Sequence, residues 1–460
     1  MAFVFPRGQH LREHFFELVY AYMKQQAALD ILKLGHSVFL TGPAGSGKTY
    51  LLKQYIEYLK ENNIGVAVTA STGIAATHMN GQTIHSWSGM GIMDVFNEEE
   101  YLKLKKRHYH KHRFDAVKVL IIDEISMLHA HQLDIVNSIC KKFKNPFLPF
   151  GGLQVILCGD FFQLPPVTRY GQVAHYVVES AAWEEMSPKI CYLEEQHRQE
   201  DQKMLKILGD IRSKACSQET LEMLASRAGQ EIKKNITPTK LFTHNVNVDA
   251  MNDFQLKKIQ GEAKMFQMTS SGIDQIAAAV RKGCLAPEVL VVKKGAVVMF
   301  VKNNFERGYV NGTLGKVVGY DDKEFPIVQT LAGKNIAATP EKWSIEEEGD
   351  ELASITQVPL RLAWAITVHK SQGMTLDAVE MDLSKSFEYG MGYVALSRVR
   401  TLDGIKLLGI NKMALQVNPT VAEFDKILEE LSDSNVLELA KMKKTEKIKA
   451  QQEFLRSCLA

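Results

Sequence analysis

Gly42-Pro43-Ala44-Gly45-Ser46-Gly47-Lys48-Thr49 meets every fixed position of the phosphate-binding pattern G-x-x-x-x-G-K-[ST]. Its flanks decide how the pattern is read. Ser37-Val38-Phe39-Leu40 ahead of it predicts a buried strand, and Tyr50-Leu51-Leu52-Lys53-Gln54-Tyr55-Ile56 behind it predicts a helix. A strand that delivers a glycine-rich turn to a helix N-terminus brings free backbone N–H groups and the positive end of the helix dipole to a polyphosphate. Glycine permits the positive φ and the close backbone approach that such a turn needs. Lys48 is then expected on the β- and γ-phosphates of ATP, and the Thr49 hydroxyl on a Mg²⁺ ion.

Outward from this loop the chain alternates strands and helices. Val66-Ala67-Val68-Thr69 reads as a strand leading into the small-residue turn Ala70-Ser71-Thr72-Gly73. Val117 to Ile122 is a second, ending in Asp123-Glu124, and Gln154 to Cys158 a third, ending in Gly159-Asp160. Near-continuous apolar strands separated by helices predict a doubly wound parallel sheet, which binds its ligand at the strand C-terminal ends. Every polar cluster just named falls at such an end. The alternation resumes from Pro188, with a strand at Thr239–Phe242 and a helix from Asn245 to about Lys258, and again from Leu360 to Ile410.

Two stretches break the pattern. Gly91 to Phe114 is a polar insertion closing on Lys105-Lys106-Arg107-His108-Tyr109-His110-Lys111-His112-Arg113. Basic residues with an interleaved aromatic suit a phosphate backbone, alternating histidines suit a metal, and a solvated face accounts for both. Val289 to Thr356 carries short strand signals at 297–301, 315–319 and 326–329, with Asn311-Gly312 as a hairpin signal between the first two. This predicts a small inserted β-barrel. The first 35 residues read as amphipathic helix, and the tail from Pro419 as helices.

The strand ends supply chemistry. Of the adjacent carboxylates Asp123 and Glu124, one suits Mg²⁺ and the other a general base for the attacking water. Gln163, in Gly159-Asp160-Phe161-Phe162-Gln163-Leu164-Pro165-Pro166, is placed to hydrogen-bond the γ-phosphate or the lytic water. Arg198 and Arg398 fall in the second α/β unit, from which a guanidinium stabilises a transferring phosphoryl group once the cleft closes. Gln25 or Gln26, just upstream of the first strand, has the donor and acceptor to read an adenine edge.

Composition is compatible with all of this. The chain has 460 residues, 45% of them hydrophobic and 23% charged, enough for several cores. A net charge of +2 confines any nucleic-acid surface to a local patch. Six scattered cysteines with no C-x-x-C pair speak against a zinc or disulfide framework and for a reducing, intracellular compartment. No apolar run reaches membrane-spanning length, so no membrane partner is expected.

Taken in order, Gly42–Thr49, Thr69–Ala76, Asp123-Glu124-Ile125-Ser126-Met127, Gly159–Val167, the segment ending at Arg198, His369-Lys370-Ser371-Gln372-Gly373 and Ala395–Arg398 closely resemble the motif series of PIF-type DNA helicases of superfamily 1B, relatives of the RecD-like enzymes. The resemblance runs from about Gln25 to Leu408. It implies two tandem RecA-like parallel-sheet domains, the first over 1–188 with a small 1B insertion at about 91–114. The second would cover 189–288 and 357–418, with an SH3-like β-barrel (2B) at 289–356 and a helical tail at 419–460. By the same resemblance Gln25 or Gln26 reads adenine, and Gly42, Pro43, Ala44, Gly45, Ser46, Gly47, Lys48, Thr49 and Gly373 bind nucleotide. Lys48, Asp123, Glu124, Gln163, Arg198 and Arg398 act on ATP, with Thr49 and Asp123 holding Mg²⁺. Thr69, Ser71, Thr72, His85 and His369 would contact single-stranded DNA. The family further implies 5′-to-3′ translocation, unwinding of tailed duplexes, often G-quadruplex unfolding, and action as a monomer. A RecD-like motor subunit of a nuclease complex, and a nucleic-acid-binding ATPase switch without robust unwinding, are the alternatives.

Overall fold

The computed structural model describes residues 23–91, 93–106, 108–168, 173–199, 201–232, 238–243, 248–304, 306–347 and 350–459. The helix expected over the first 22 residues, and Arg107 in the basic stretch, lie outside them.

The first sheet contains β1 (Val38–Thr41), β2 (Val66–Ala70), β3 (Gln82–Thr83), β4 (Val119–Asp123), β5 (Gln154–Cys158) and β6 (Lys189–Tyr192). All pair in parallel, in the order β3-β2-β4-β5-β1-β6. β1, β4 and β5 are buried along their whole length, which is why they read as unbroken apolar runs. Side chains alternate between two cores. Val38, Leu40, Ile121 and Ile156 pack with Leu51, Leu52, Tyr55 and Leu59 of the helix Lys48–Glu61. Phe39, Leu120 and Leu157 pack with Leu133, Val136 and Ile139 of the helix Ala130–Phe143.

β6 corrects one expectation. Its pairing with β1 keeps residues 189–192 in the first sheet, beyond the expected change of unit at 188. Arg198, a few residues later, therefore hangs from the first sheet and not the second. The apolar segment Ile190-Cys191-Tyr192 fits either sheet by pattern, and only the open edge of β1 selects one.

The second sheet is also wholly parallel, with strands Ala365–Thr367, Thr239–Phe242, Val379–Leu383 and Ile405–Ile410 in that spatial order. Between its first two sequence strands lies an antiparallel β module. Five strands, Asn335–Ala337, Pro326–Thr330, Leu314–Tyr320, Val297–Phe300 and Leu360–Leu362, form its main sheet. Phe300 stacks on Tyr309 in its core, ring centroids 4.0 Å apart. Val289–Val292 pairs with Lys264–Gln267, and Asp350–Gln357 pairs with both Glu341–Glu347 and Thr269–Gly272. The pairing thus reaches past the expected 289–356 segment at both ends. Asn311-Gly312 is not a two-residue hairpin: the connection runs from Val301 to Thr313, and Gly312 packs against Thr375 of the second unit.

The polar insertion folds as helices Glu98–Lys105 and His108–Ala116. Arg113 is buried there and donates to the carbonyl of Trp87 at 2.9 Å, so it braces the core and does not face a strand of nucleic acid. The tail forms helices Pro419–Lys441 and Lys444–Leu459. The first covers the open edge of β6: Ser432 Oγ accepts from Tyr192 N at 3.0 Å, and Asn435 donates to Ile190 O at 3.0 Å. Among the described residues no helix is long and apolar enough to cross a membrane.

Candidate nucleotide site

The phosphate loop leaves the buried end of β1 and enters the helix Lys48–Glu61 through Gly47, in the left-handed region at φ 85°. That conformation is cheap only for glycine. A Cβ at Gly47 would also lie 2.1 Å from Gln25 Nε2, so the loop and the first helix leave no room for one. Of the two candidate glutamines, Gln25 lies on the loop, Nε2 3.4 Å from Ser46 O and 3.1 Å from His197 Nε2. Gln26 is exposed and bonds Asp30 on its own helix.

Lys48 folds back over the loop, donating to Gly42 O at 2.7 Å and Pro43 O at 3.0 Å. Burial lowers its pKa, opposed by Asp160. Thr49 is exposed in the same cavity, of about 550 Å³, which Asp123, Glu124, Gln163, Arg198, Gly373 and Arg398 also line.

Asp123 ends β4 and accepts from the Glu124 amide at 2.8 Å. Glu124 takes φ 52°, a left-handed conformation that is costly for a non-glycine residue and turns it back toward the cavity. Gln372 Nε2 donates to its Oε2 at 2.9 Å. Burial, then the Asp123 charge, pushes the Glu124 carboxyl up to about 7, while Arg398 and Lys48 oppose that rise. Burial raises Asp123 as well. The Thr49 hydroxyl and Asp123 carboxylate are hard oxygen donors in one cavity, a set that fits Mg²⁺ with phosphate oxygens and waters completing the shell.

Gln163 is buried, its Nε2 3.3 Å from Asp160 Oδ2. Asp160 itself anchors a buried network that sequence reading passed over. Arg212 bonds Asp160 Oδ1 at 2.8 Å and Tyr192 Oη at 2.7 Å, and its guanidinium stacks 4.1 Å from the Phe162 ring. Tyr393 Oη donates to Asp160 Oδ2 at 3.3 Å and accepts from the Ala44 amide at 3.1 Å, so a helix of the second unit touches the phosphate loop. Although burial opposes it, Arg212 with Lys48 holds Asp160 below the usual carboxylate range. Asp160 stood in a segment already singled out, but nothing local marked it and Tyr393 as partners.

Arg398 is buried and held by its own helix, Nε to Val394 O at 3.0 Å and Nη2 to Ser397 Oγ at 2.8 Å. Arg198 Nη1 donates to Ser397 O at 3.3 Å. Burial keeps both guanidiniums below their ordinary range, reinforced at Arg198 by the Arg398 charge and opposed at Arg398 by Glu124, Tyr393 and Asp160.

The expected DNA contacts divide. Thr72 and His369 line the cavity. Burial lowers the His369 pKa. Ser71 is half-buried and donates to Glu124 O at 2.6 Å. His85 is half-buried on the short helix Ile84–Ser88. Thr69 is a correction: it has no exposed surface and its Oγ1 donates to Ile121 O at 2.6 Å inside the sheet, leaving nothing to offer a strand. Asn303, Val310 and Asn311 of the β module line the same cavity.

Two parallel sheets, one phosphate loop, an acidic pair at a strand end and two arginines on neighbouring turns define a P-loop nucleotide hydrolase of the tandem RecA-like class. The chain belongs to the PIF1-like helicase family. The model of that family matches residues 21–218, and that of the DNA helicase Pif1 2B domain matches residues 276–320. The ATP-dependent DNA helicase Pif1 of Psychrobacter sp. (strain PRwf-1) is 43% identical over 471 residues, covering 89% of this chain and 71% of that protein. The ATP-dependent DNA helicase PIF1 of Homo sapiens is 37% identical and covers 87% of this chain; the match spans 63% of the human protein. The crystal structure of a Pif1 helicase from Bacteroides in complex with ADP-AlF3 and ssDNA aligns with a TM-score of 0.61 at 28% identity, covering 91% of this chain and 99% of that one.

Proposed function

We propose that this chain is an ATP- and Mg²⁺-dependent DNA helicase that moves 5′ to 3′ on single-stranded DNA and unwinds tailed duplexes and G-quadruplexes as a monomer inside the cell. One observation carries the reading: a single cavity gathers Lys48, Thr49, Asp123 and Glu124 with Arg198 and Arg398, and continues to Thr72 and His369. Family membership, and the single-stranded DNA and ADP-AlF3 bound by the Bacteroides relative, support it.

ATP takes the loop amides of Gly45 to Thr49 as phosphate donors. Lys48 exchanges its Gly42 and Pro43 carbonyls for the β- and γ-phosphates. Gln25, beside Gly47, reads the adenine edge, and Gly373 flanks the γ-phosphate. Thr49 and Asp123 would hold Mg²⁺, which would supply a hard cation to neutralise phosphate charge. Glu124 takes the proton of the attacking water, a task suited to a base whose pKa lies near neutrality. Gln163 orients that water, while Arg198 and Arg398 stabilise charge on the γ-phosphoryl oxygens. Ser71, Thr72, His85 and His369 face the strand. The sheet built on β1–β6 is the first motor domain, the Thr239–Ile410 sheet the second, and the β module inserted in the second the 2B domain.

Unwinding of paired 5′-tailed and 3′-tailed duplexes tests this. Strand separation restricted to the 5′-tailed substrate, and dependent on ATP, is expected. Robust ATPase activity with neither substrate opened would leave a nucleic-acid-dependent switch instead.

A further inference from the structure

The segment after β6 touches both halves of the cavity. His197 N donates to Gly45 O at 2.9 Å, which registers the segment on the phosphate loop. Two residues on, Gln199 is only 2% exposed. Its Nε2 donates to Ser397 O at 2.9 Å and approaches Val399 O at 3.3 Å, the carbonyls on either side of Arg398. Its Oε1 has no hydrogen-bond partner among the described residues and lies 3.2 Å from where a Gly45 Cβ would stand. A buried amide oxygen left without a partner beside the phosphate loop carries a desolvation cost.

We propose that Gln199 is a positioning residue that ties the phosphate loop to the Arg398 turn, so that filling the loop with a triphosphate aims the Arg398 guanidinium. The inference rests on the ATP-hydrolysis reading given above. Arg398 points where its turn points, because its Nε and Nη2 are both tied within Val394–Ser397. The carbonyls of that turn are in turn pinned by Gln199 across a separation of about 200 residues. Gly45 is the contact through which the loop is felt: Arg198 Cβ, Gln196 Oε1 and Gln199 Oε1 all fill the space where its Cβ would be. Gln199 itself has no group directed at Lys48 or Thr49. Its effect therefore belongs to the transition state, when Arg398 is needed, and not to the binding of ATP.

The test is Gln199→Met, which keeps length and apolar volume but removes the donor. With saturating oligothymidylate, kcat for ATP should fall at least ~10-fold while KM stays within about twofold. Affinity for ATPγS should be unchanged, and affinity for ADP with aluminium fluoride should fall by about the same factor as kcat. A purely structural role would weaken both nucleotides together, and that result, or wild-type kinetics, overturns the inference. Where Gln199→Met does not fold, hydrogen exchange on the wild-type chain decides: ATPγS should slow exchange in the peptide around Ser397–Arg400 together with the phosphate loop, and an unchanged Ser397–Arg400 peptide overturns it. An inactive wild-type chain would instead fail the helicase reading, so the two failures are distinguishable.

Discussion

At the scale of single residues the site separates holding nucleotide from cleaving it. In the proposed mechanism Lys48, which here donates to Gly42 O at 2.7 Å, grips the phosphates, whereas Glu124 is a buried carboxyl whose pKa burial and Asp123 push up to about 7. Lys48→Ala should lose both ATPase activity and most nucleotide affinity. Glu124→Gln should keep affinity within about threefold and lose at least ~10²-fold in kcat, since only the base is removed. Titration with a fluorescent ATP analogue beside steady-state ATPase separates the two; equal loss of binding would contradict the roles. Asp425, on the tail helix, carries a pH dependence of stability. Burial pushes its carboxyl up to about 6 from an ordinary value of 3.8, against the pull of Arg212 and the Tyr192 hydroxyl. The folded state then binds more protons than the unfolded one between those values, so stability falls as pH rises through that window and stays lowered above it. Asp425→Asn should raise Tm by about 2–4 °C at pH 8, the shift that ~1 kcal/mol gives in a domain of this kind, and by nothing below pH ~3.8. Thermal melts at both pH values check it.

Among the elements, the Val301–Thr313 connection of the β module has the most revealing position. Asn311-Gly312 was expected to mark a tight hairpin, but Gly312 lies against the Thr375 backbone at φ 94°. A Cβ there would stand 2.4 Å from Thr375 O. Asn303 and Asn311 line the cavity beside His369. Gly312→Val should therefore disturb the join between module and second sheet while leaving both folded. Unwinding is expected to fall ~10-fold or more, with a smaller loss of DNA-stimulated ATPase, because the cavity wall shifts without losing a phosphate ligand. Parallel unwinding and ATPase assays decide it: normal unwinding would remove the module from strand separation.

For the whole molecule, near-neutral charge and a nucleic-acid partner have to be reconciled. A net charge of +2 gives little long-range attraction, so binding must come from local contacts such as Lys370 and Arg400 at the cavity. Each neutralised phosphate releases counterions whatever the overall charge. The logarithm of oligothymidylate affinity should thus fall linearly with the logarithm of salt concentration, with a slope of about −2 to −4 for a few single-strand phosphate contacts. Fluorescence anisotropy over a salt series measures the slope, and a flat line would mean that stacking, not phosphate tracking, holds the strand. The tail adds a constraint on motion. It leaves the second sheet and returns to cover β6 of the first, with Lys189 and Glu438 paired at 2.5 Å, so the two sheets are joined behind the site as well as across it.

The strand–turn–helix at Gly42–Thr49, the carboxylates ending β4 and the parallel strands β1, β2, β4 and β5 were all legible in the amino-acid sequence. Each is local: a buried strand is an apolar run, a phosphate loop is a short glycine pattern, and a strand end is where such a run stops. What the chain order could not decide were pairings between residues far apart. Whether Gln25 or Gln26 reached the loop depended on which face of one helix met Gly47. Arg198 went to the first sheet because β1 had an open edge, and Thr69 was lost as a surface contact because β3 and β4 closed on both sides of β2. Tyr393 and Arg212 met at Asp160, and Gln199 met Ser397, only once the two sheets were packed together. Such contacts follow from the shape and satisfied polarity of a shared interior, which no periodicity along the chain encodes.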